Sequence, residues 1–434
     1  MFFYYLDLAW RSIKKTPMLS ALMIMAISIG IGITITTLNI YKMMSTNPAG
    51  EKSSQLFAVQ LWSQGPDAWD RFDQQITYQD GMNLLKSDIP SLQTPMFRTG
   101  GAVQTEDPAF LPVLQSRVRV TNNDFFPLFG LEFQYGQAWD DSVDKDARYE
   151  VVLTDELNKT LFAGQNSVGK TIYFNAKPYQ VVGVLKPWAP SPNYYDLNNG
   201  AFGNVDTLFV PYSLAPIEEY GSWGNTNGWN YESINNYAQR LTSEKHWTQF
   251  WVQLDTPEQV AEYRQWVRQY IEQQKKLGRF SSPKADVQLS DIDQWLAINK
   301  VVPEDNKVLV GLSALFLIVC LVNMLGLLLS KFLRRAPEIG VRRAIGASQG
   351  QIFAQHMVEV SLMGLFGGLL GLAWAWGSLA LLTKKFQLEA SITHLDASMW
   401  LIAPVIAIFA AIVAGIYPAW RVCTTNPSVY LKSQ

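Results

Sequence analysis

Cysteine is almost absent. The 434 residues hold two, Cys320 and Cys423, and neither lies in the long polar stretch 42–307, so no disulfide scaffold staples that stretch and it must rest on an apolar core of its own, which its length permits. Histidine is as sparse: His246, His356 and His394 stand far apart, with no Cys/His spacing that suits a metal site. No Ser/His/Asp set, Cys/His set or carboxylate pair can be argued from the sequence, which puts a self-contained enzyme last among the function classes. A cleavage site is missing too. The first apolar run is about 23 residues and ends in Tyr41, Lys42, Met43 and Met44, against about 7–15 apolar residues followed by small ones in a secretory signal, so an uncleaved anchor is expected.

Long apolar runs are missing from 42–307 and present on both sides of it. Four windows, 18–41, 308–330, 357–382 and 399–417, each approach the ~20 apolar residues that carry a helix across ~30 Å of hydrocarbon. Charge supplies an orientation. Segments 1–17, 331–356 and 418–434 hold ten Lys and Arg against two acidic residues, so with the chain at −2 overall the remainder carries −10. Basic residues beside spans stay on the cytoplasmic side. Both termini and the 331–356 loop are therefore expected inside, with 42–307 and the 383–398 loop outside.

Residues 1–17 open with an amphipathic helix, Leu6, Trp10 and Ile13 on one face and Asp7, Arg11, Lys14 and Lys15 on the other, suited to the membrane interface. In 42–307 an alternating run at 56–62 precedes a helix near 77–88, and the same order returns late: a strand at 247–254, a helix opened by Thr256, Pro257 and Glu258 and reaching about 276, and a strand near 285–289. Two β-α-β units at the ends of one insertion predict a split, ferredoxin-like arrangement nearest the membrane. Between them, 117–235 reads as an inserted β-rich subdomain, with strands clearest at 150–153 and 179–185. The fold class is an α+β membrane protein with four transmembrane helices and one large outer domain. Residues 186–236 are dense in Pro, Gly, Asn and aromatics, and Trp188, Tyr194, Tyr195, Trp223, Trp229 and Tyr231 form either a recognition surface for a partner or substrate or the cover of the subdomain's own small core.

Gly164 to Thr171 matches the phosphate-loop pattern G-x-x-x-x-G-K-[ST] in full. That motif works only with a strand before its glycines and a helix after them, whose N-terminus faces the phosphates. Here 154–162 reads as a helix and 171–174 as a strand, so no nucleotide site is expected.

The 335–348 loop reads as a complete short helix: Pro337 and Glu338 in the first turn, Ile339, Gly340 and Val341 between, Arg342 and Arg343 in the last turn, then Ala344, Ile345 and a stop at Gly346. Ser348 can cap the span that follows. EIGVRRAIGAS at 338–348, followed by GGLLG at 367–371, resembles the inner-loop signature of MacB/FtsX-like permeases. VTNNDFFPLFGLEFQYGQAW at 120–139 and the segment 151–185 look like the MacB-type periplasmic domain, and GIYPAWRVCTTNPSVYLKS at 415–433 looks like the family's last span and tail. The resemblance implies that residues 337–346 couple the spans to a cytoplasmic ABC ATPase. ATP and magnesium would be bound by that ATPase and no cofactor by this chain. It also implies a bacterial inner-membrane location, a second permease copy or a paralogue, membrane lipid around the spans, a periplasmic adaptor and an outer-membrane channel, and no nucleic-acid partner. Unlike MacB itself, these residues carry no nucleotide-binding domain, so the ATPase is expected on a separate polypeptide.

Within the spans, Gly364/Gly368 and Gly367/Gly371 form overlapping G-x-x-x-G pairs, and Ala407, Ala411 and Gly415 share one face; both are expected to build a tight four-helix unit and a dimer seam. Glu359 is the main ionisable group of the third span, and an interfacial ion pair near Arg342 and Arg343 is expected for it ahead of a proton or substrate site. The function these readings imply is mechanotransmission, in which ATP-driven movement inside reshapes the outer domain and exports a periplasmic substrate. A regulator of cell-wall hydrolases and a lipoprotein-releasing permease are the alternatives.

Overall fold

The computed structural model describes residues 2–66, 70–107, 109–386 and 395–424. Part of the expected 383–398 loop, His394, and residues 425–434 of the expected tail with Lys432 lie outside the described residues. The chain divides into two units: residues 1–45 with 302–434, and residues 46–301.

In the first unit, four helices are long and apolar enough to cross a membrane: Pro17–Ser45, Glu304–Arg334, Gln349–Leu381 within a longer helix, and Met399–Cys423. Each outruns the apolar window that announced it, because a helix continues past the hydrocarbon wherever its end is specified. The second span begins on Glu304 and Asp305 and ends on Lys331 and Arg334, charges that suit the two ends of the macrodipole. The third starts at Gln349 because Ser348 Oγ accepts from Gln351 N at 3.2 Å while Gln351 Oε1 accepts from Ser348 N at 3.0 Å, a reciprocal cap. The amphipathic helix Phe2–Lys15 precedes the first span, with Thr16 between them and Pro17 in its first turn.

The glycine faces are filled from within the chain. A Cβ built on Gly364 would stand 2.8 Å from Ala411 Cβ, and one on Gly368, a turn further along the same face, 2.8 Å from Ala407 Cβ. The other pair looks the opposite way: a Cβ on Gly367 would stand 2.6 Å from Ile27 Cγ2, and one on Gly371 2.9 Å from Ile31 Cγ2. The third span is therefore wedged between the fourth on one face and the first on the other. Gly415 meets Val360 and Gly30 meets Leu317 in the same way. All these contacts join spans of one chain, which is the tight packing expected of Gly364, Gly367, Gly368, Gly371, Ala407, Ala411 and Gly415 within a four-helix unit.

The second unit is built on one 11-stranded sheet. Its strands are β1 (Leu56–Leu61), β2 (Ile76–Thr77), β3 (Leu92–Gln104), β4 (Val113–Thr121), β5 (Phe133–Gly136), β6 (Glu150–Leu153), β7 (Thr171–Phe174), β8 (Lys177–Leu185), β9 (Leu208–Pro211), β10 (His246–Gln253) and β11 (Val287–Asp291). One end runs β11-β1-β10-β3, every neighbour antiparallel, which is the ferredoxin-like order for two β-α-β units. The helix Pro257–Lys276 starts where Thr256 Oγ1 accepts from Gln259 N at 3.3 Å. It buries Tyr263, Val267, Tyr270 and Ile271 at helical spacing in a cluster with Val59, Leu61, Phe250, Val252 and Leu289 from the strands. The early helix is shorter than expected, Tyr78–Leu84.

The middle is not a separate subdomain with its own sheet. β3 is 13 residues long: its first part pairs with β10, from Leu92↔Gln253 to Met96↔Gln249, and its remainder with β4, from Met96↔Thr121 to Val103↔Val113. The sheet then continues through β9, β6, β8 and β5 with two parallel pairings, β4 with β9 and β6 with β8. Apolar clusters cover both faces, one around Phe97, Val118, Leu161 and Trp247 and the other around Phe126, Phe209, Trp251 and Trp295.

Candidate functional site

The short helix between the second and third spans runs Ala336–Ala344. Arg335 ends the preceding helix and begins this one, Pro337 and Glu338 occupy its first turn, Ile345 ends it, and Gly346 then turns the chain at φ +110°. Its two faces differ. Ala336, Ile339 and Gly340 are buried, whereas Pro337, Val341, Ala344 and Ile345 are exposed, Ile345 by 81%. The arginines turn back onto the chain: Arg342 Nη2 lies 2.8 Å from Glu338 Oε1 and its Nη1 donates to Gln355 Oε1 at 3.2 Å, while Arg343 Nη1 donates to the Cys423 carbonyl at 3.1 Å. Lys15 of the N-terminal amphipathic helix reaches Glu338 Oε2 at 3.4 Å. Burial works to raise the Glu338 carboxyl, but Arg335, Arg342 and Lys15 outweigh it and hold it below the ordinary value. The outward face is thus an apolar strip, and the charges that make this segment conspicuous in the sequence hold it in place.

Glu359 forms an ion pair, though not with Arg342 or Arg343. It is fully buried, with Oε1 2.8 Å from Lys331 Nζ and accepting from Ser12 Oγ. Lys331 Nζ also donates to Ser20 Oγ at 2.9 Å. Counting along the third span places Glu359 near the arginines, but helix phase turns it toward the second span and the N-terminal amphipathic helix.

In the outer domain the six aromatics do not share a surface. Trp188, Tyr194 and Tyr195 pack with Phe125, Phe129 and Trp251 in the domain's own core. Trp223 covers Gly100 and Trp229 covers Gly65, so closely that a Cβ at either glycine would run into the indole carbons. Tyr231 alone of the six is almost fully exposed, at 93%.

The glycine-lysine turn has the geometry expected of a decoy. The helix Asp155–Phe162 leads into it and β7 follows it. Its amides are taken by the protein: Gly169 N donates to the Val181 carbonyl at 2.8 Å and Lys170 N to the Ser167 carbonyl at 3.0 Å, and Lys170 Nζ lies over the Phe162 ring. No convergent set of N–H groups is left for phosphate.

Two buried constellations are invisible in the sequence. Ser63 Oγ lies 2.8 Å from His246 Nε2, and His246 Nδ1 lies 2.9 Å from Asp73 Oδ2, the connectivity of a nucleophilic triad. With Ser63 at 2% exposure and His246 at 0%, the hydroxyl meets no substrate, and Asn227 closes the set by donating to Asp73 Oδ1 at 3.0 Å. In the second constellation Arg119, fully buried, donates from Nε to Asp206 Oδ2 at 2.8 Å and from Nη2 to Asp196, while Arg98 Nε donates to Asp206 Oδ1 at 2.6 Å. Both sets draw partners from distant strands and loops, and no local pattern announces them. Among the described residues no group of His, Cys, Asp and Glu could hold a metal ion.

Comparison with known proteins places these features in a family. Residues 20–270 match the MacB-like periplasmic core domain and residues 310–427 the FtsX-like permease C-terminal domain. The macrolide export ATP-binding/permease protein MacB of Neisseria meningitidis serogroup A is 25% identical over 301 residues, covering 68% of this chain and 40% of that protein. MacB of Vibrio parahaemolyticus is 24% identical over 261 residues, 60% of this chain and 34% of that protein. The chain therefore spans about two fifths, or less, of the length of these curated relatives. Among solved structures, the periplasmic region of MacB from Actinobacillus actinomycetemcomitans aligns with 58% of this chain and 94% of its own at 18% identity and a TM-score of 0.36. The extracellular domain of the noncanonic ABC-type transporter YknZ aligns with 54% of this chain and 99% of its own at 12% identity and a TM-score of 0.35.

Proposed function

Because the chain belongs to the MacB/FtsX-like family of ABC transporter permeases, we propose that its helix Ala336–Ala344 docks into a groove on a cytoplasmic ABC ATPase carried outside these 434 residues. The observation that carries the reading is the division of that helix into two faces. Ala336, Ile339 and Gly340 are held against the membrane unit, and Pro337, Val341, Ala344 and Ile345 stand in solvent as an unfilled apolar strip. A helix laid into a groove on a partner uses such anchors at i, i+4 and i+8.

ATP and magnesium are bound by the ATPase, whose two copies close on each other and carry with them the short helices of two permeases, this chain and a second copy or paralogue. The spans pass that displacement to the outer domain. Their buried interior is dominated by Ile, Leu, Met, Ala and Gly in close contact, which suits transmission of force better than a wide aqueous path. With both termini in the cytoplasm and residues 46–301 in the periplasm, the work is done outside: the domain changes shape and drives a periplasmic substrate through an adaptor and an outer-membrane channel.

The test is Val341→Glu with Ile345→Glu, which leaves every ion pair of the helix in place, beside Arg342→Glu with Arg343→Glu. Both variants are expected to insert in the membrane and to lose the ATPase on affinity purification. Retention of a normally stimulated ATPase by both would refute the docking assignment.

A further inference from the structure

Glu359 has one satisfied oxygen and one open one. Oε1 is taken by Lys331 and Ser12. Oε2 is buried without a hydrogen bond, and two donors stop short of it, Arg335 Nη1 and His356 Nδ1, each at 3.7 Å. Arg335 is shared. Its Nη1 donates to Ser12 Oγ, its Nε lies 3.9 Å from Glu338 Oε2 on the short helix, and that Nε is itself buried without a hydrogen bond. The residue that ends the second span and begins the short helix therefore stands between an outer carboxylate and a buried one, in full contact with neither.

From this geometry we propose that Glu359, Lys331 and Arg335 are the positioning residues that deliver movement of the short helix into the second and third spans, with Arg335 closing onto the open Glu359 oxygen in one of the two working states. The inference rests on the docking reading and names the joint behind it. A buried carboxylate among apolar helices is costly unless it is paired. Here its partners come from the N-terminal amphipathic helix (Ser12), the second span (Lys331) and the entry to the short helix (Arg335), and Lys331 ties in the first span through Ser20. A rotation of the short helix that moves Arg335 by about 1 Å exchanges a 3.7 Å approach for a hydrogen bond of about 2.8 Å. That exchange would give the joint the two discrete arrangements that coupling between distant sites requires. His356 is held beside it by Phe332, ring centroids 4.1 Å apart.

The experiment uses the full chain with the ATPase that co-purifies with it, in lipid nanodiscs, with Cys320 and Cys423 replaced by alanine. Spin labels go at Val319 and Trp376, exposed positions on the second and third spans. The distance between them is measured with and without ATP in the wild type, in Glu359→Gln, and in the doubly neutral Lys331→Met with Glu359→Leu. The double variant is included because it removes the fully buried Lys331–Glu359 pair together and leaves Arg335 beside Glu338, and so folds even if the single variant does not. Expected is an ATP-driven change in the wild type and an about tenfold smaller responding population in the double variant, with its melting temperature and bound ATPase unchanged, within the range over which residues on a coupling network act. A double variant that keeps the full ATP response overturns the proposal while docking stands. A normally stimulated ATPase retained both by Val341→Glu with Ile345→Glu and by Arg342→Glu with Arg343→Glu overturns docking first and this joint with it.

Discussion

Asp73 and His246, 173 residues apart in the chain, meet at 2.9 Å between Oδ2 and Nδ1. The imidazole passes the contact on to Ser63, so all three parts of a hydrolytic triad are present and none is reachable. Fluorophosphonate should leave Ser63 of the intact chain unmodified, and mass spectrometry of the treated protein reads this directly. Ser63→Ala should cost about 1 kcal/mol of stability, the worth of one buried hydrogen bond. A covalent adduct on Ser63 would contradict the structural role given to this set.

The Asp196 carboxyl is pushed upward by burial, but Arg119 and Arg98 outweigh that and hold it down to about 2, against an ordinary 3.8. Between those values the unfolded chain binds the proton and the folded one does not. The stabilisation is therefore complete above about pH 4 and lost as pH falls toward 2. Acid unfolding followed by tryptophan fluorescence should show this limb, and Asp196→Asn should shrink it. Arg119→Met, which strips Asp196 and Asp206 of one of the two cations they share, should cost about 3–5 kcal/mol at neutral pH.

Asp144 behaves in the opposite sense. Burial lifts its carboxyl to about 6, with Asp141 and Asp124 adding to the rise while donors from Asn123 N and Trp139 Nε1 restrain it. The folded state now keeps the proton longer, so stability declines as pH rises from about 4 to about 6 and then levels off. Asp144→Asn retains an acceptor for both donors. It should match the wild type below pH 4 and melt higher above pH 6, by up to about 3 kcal/mol at ~1.4 kcal/mol per pH unit. Thermal melts at the two ends of that range decide it.

Side-chain volume at the third span is a separate lever. Gly364→Val and Gly371→Val drive methyl groups into Ala411 and Ile31, each costing about 1–3 kcal/mol by overpacking. Gly326→Ala in the second span meets nothing within 4 Å and should not destabilise, since alanine favours a helix interior over glycine. Melting temperature in detergent separates the two classes, and equal tolerance at all three positions would refute the packing described.

Local patterns make much of this fold readable in advance. Apolar run length announces the four spans, and Pro337, Glu338, Arg342 and Arg343 announce a short helix because proline and charge follow helix polarity. The ferredoxin-like order is legible because each β-α-β unit is contiguous in sequence. Contacts across long separations are not legible: Arg119 with Asp196 and Asp206, or Ser63 with His246, depend on which strands become neighbours. Glu359 shows the intermediate case. Its need for a partner can be read from its place in an apolar helix, but sequence distance points to Arg342 and Arg343, whereas rotation about the helix axis selects Lys331. Gly364 and Gly368 are similar: their spacing promises a close helix neighbour, and only the packed spans show that Ala411 and Ala407 of the same chain supply it. The aromatics of 186–236 show that composition marks an unusual segment without saying which way its rings face; Trp188, Tyr194 and Tyr195 turn inward.

β3 has a mechanical consequence. Because its 13 residues belong to the ferredoxin-like end at one extremity and to the β4 and β7 pairings at the other, it is a beam common to both halves, and neither can tilt about a soft hinge while the other stays still. Residues 46–301 should therefore melt in a single step, which calorimetry reads directly.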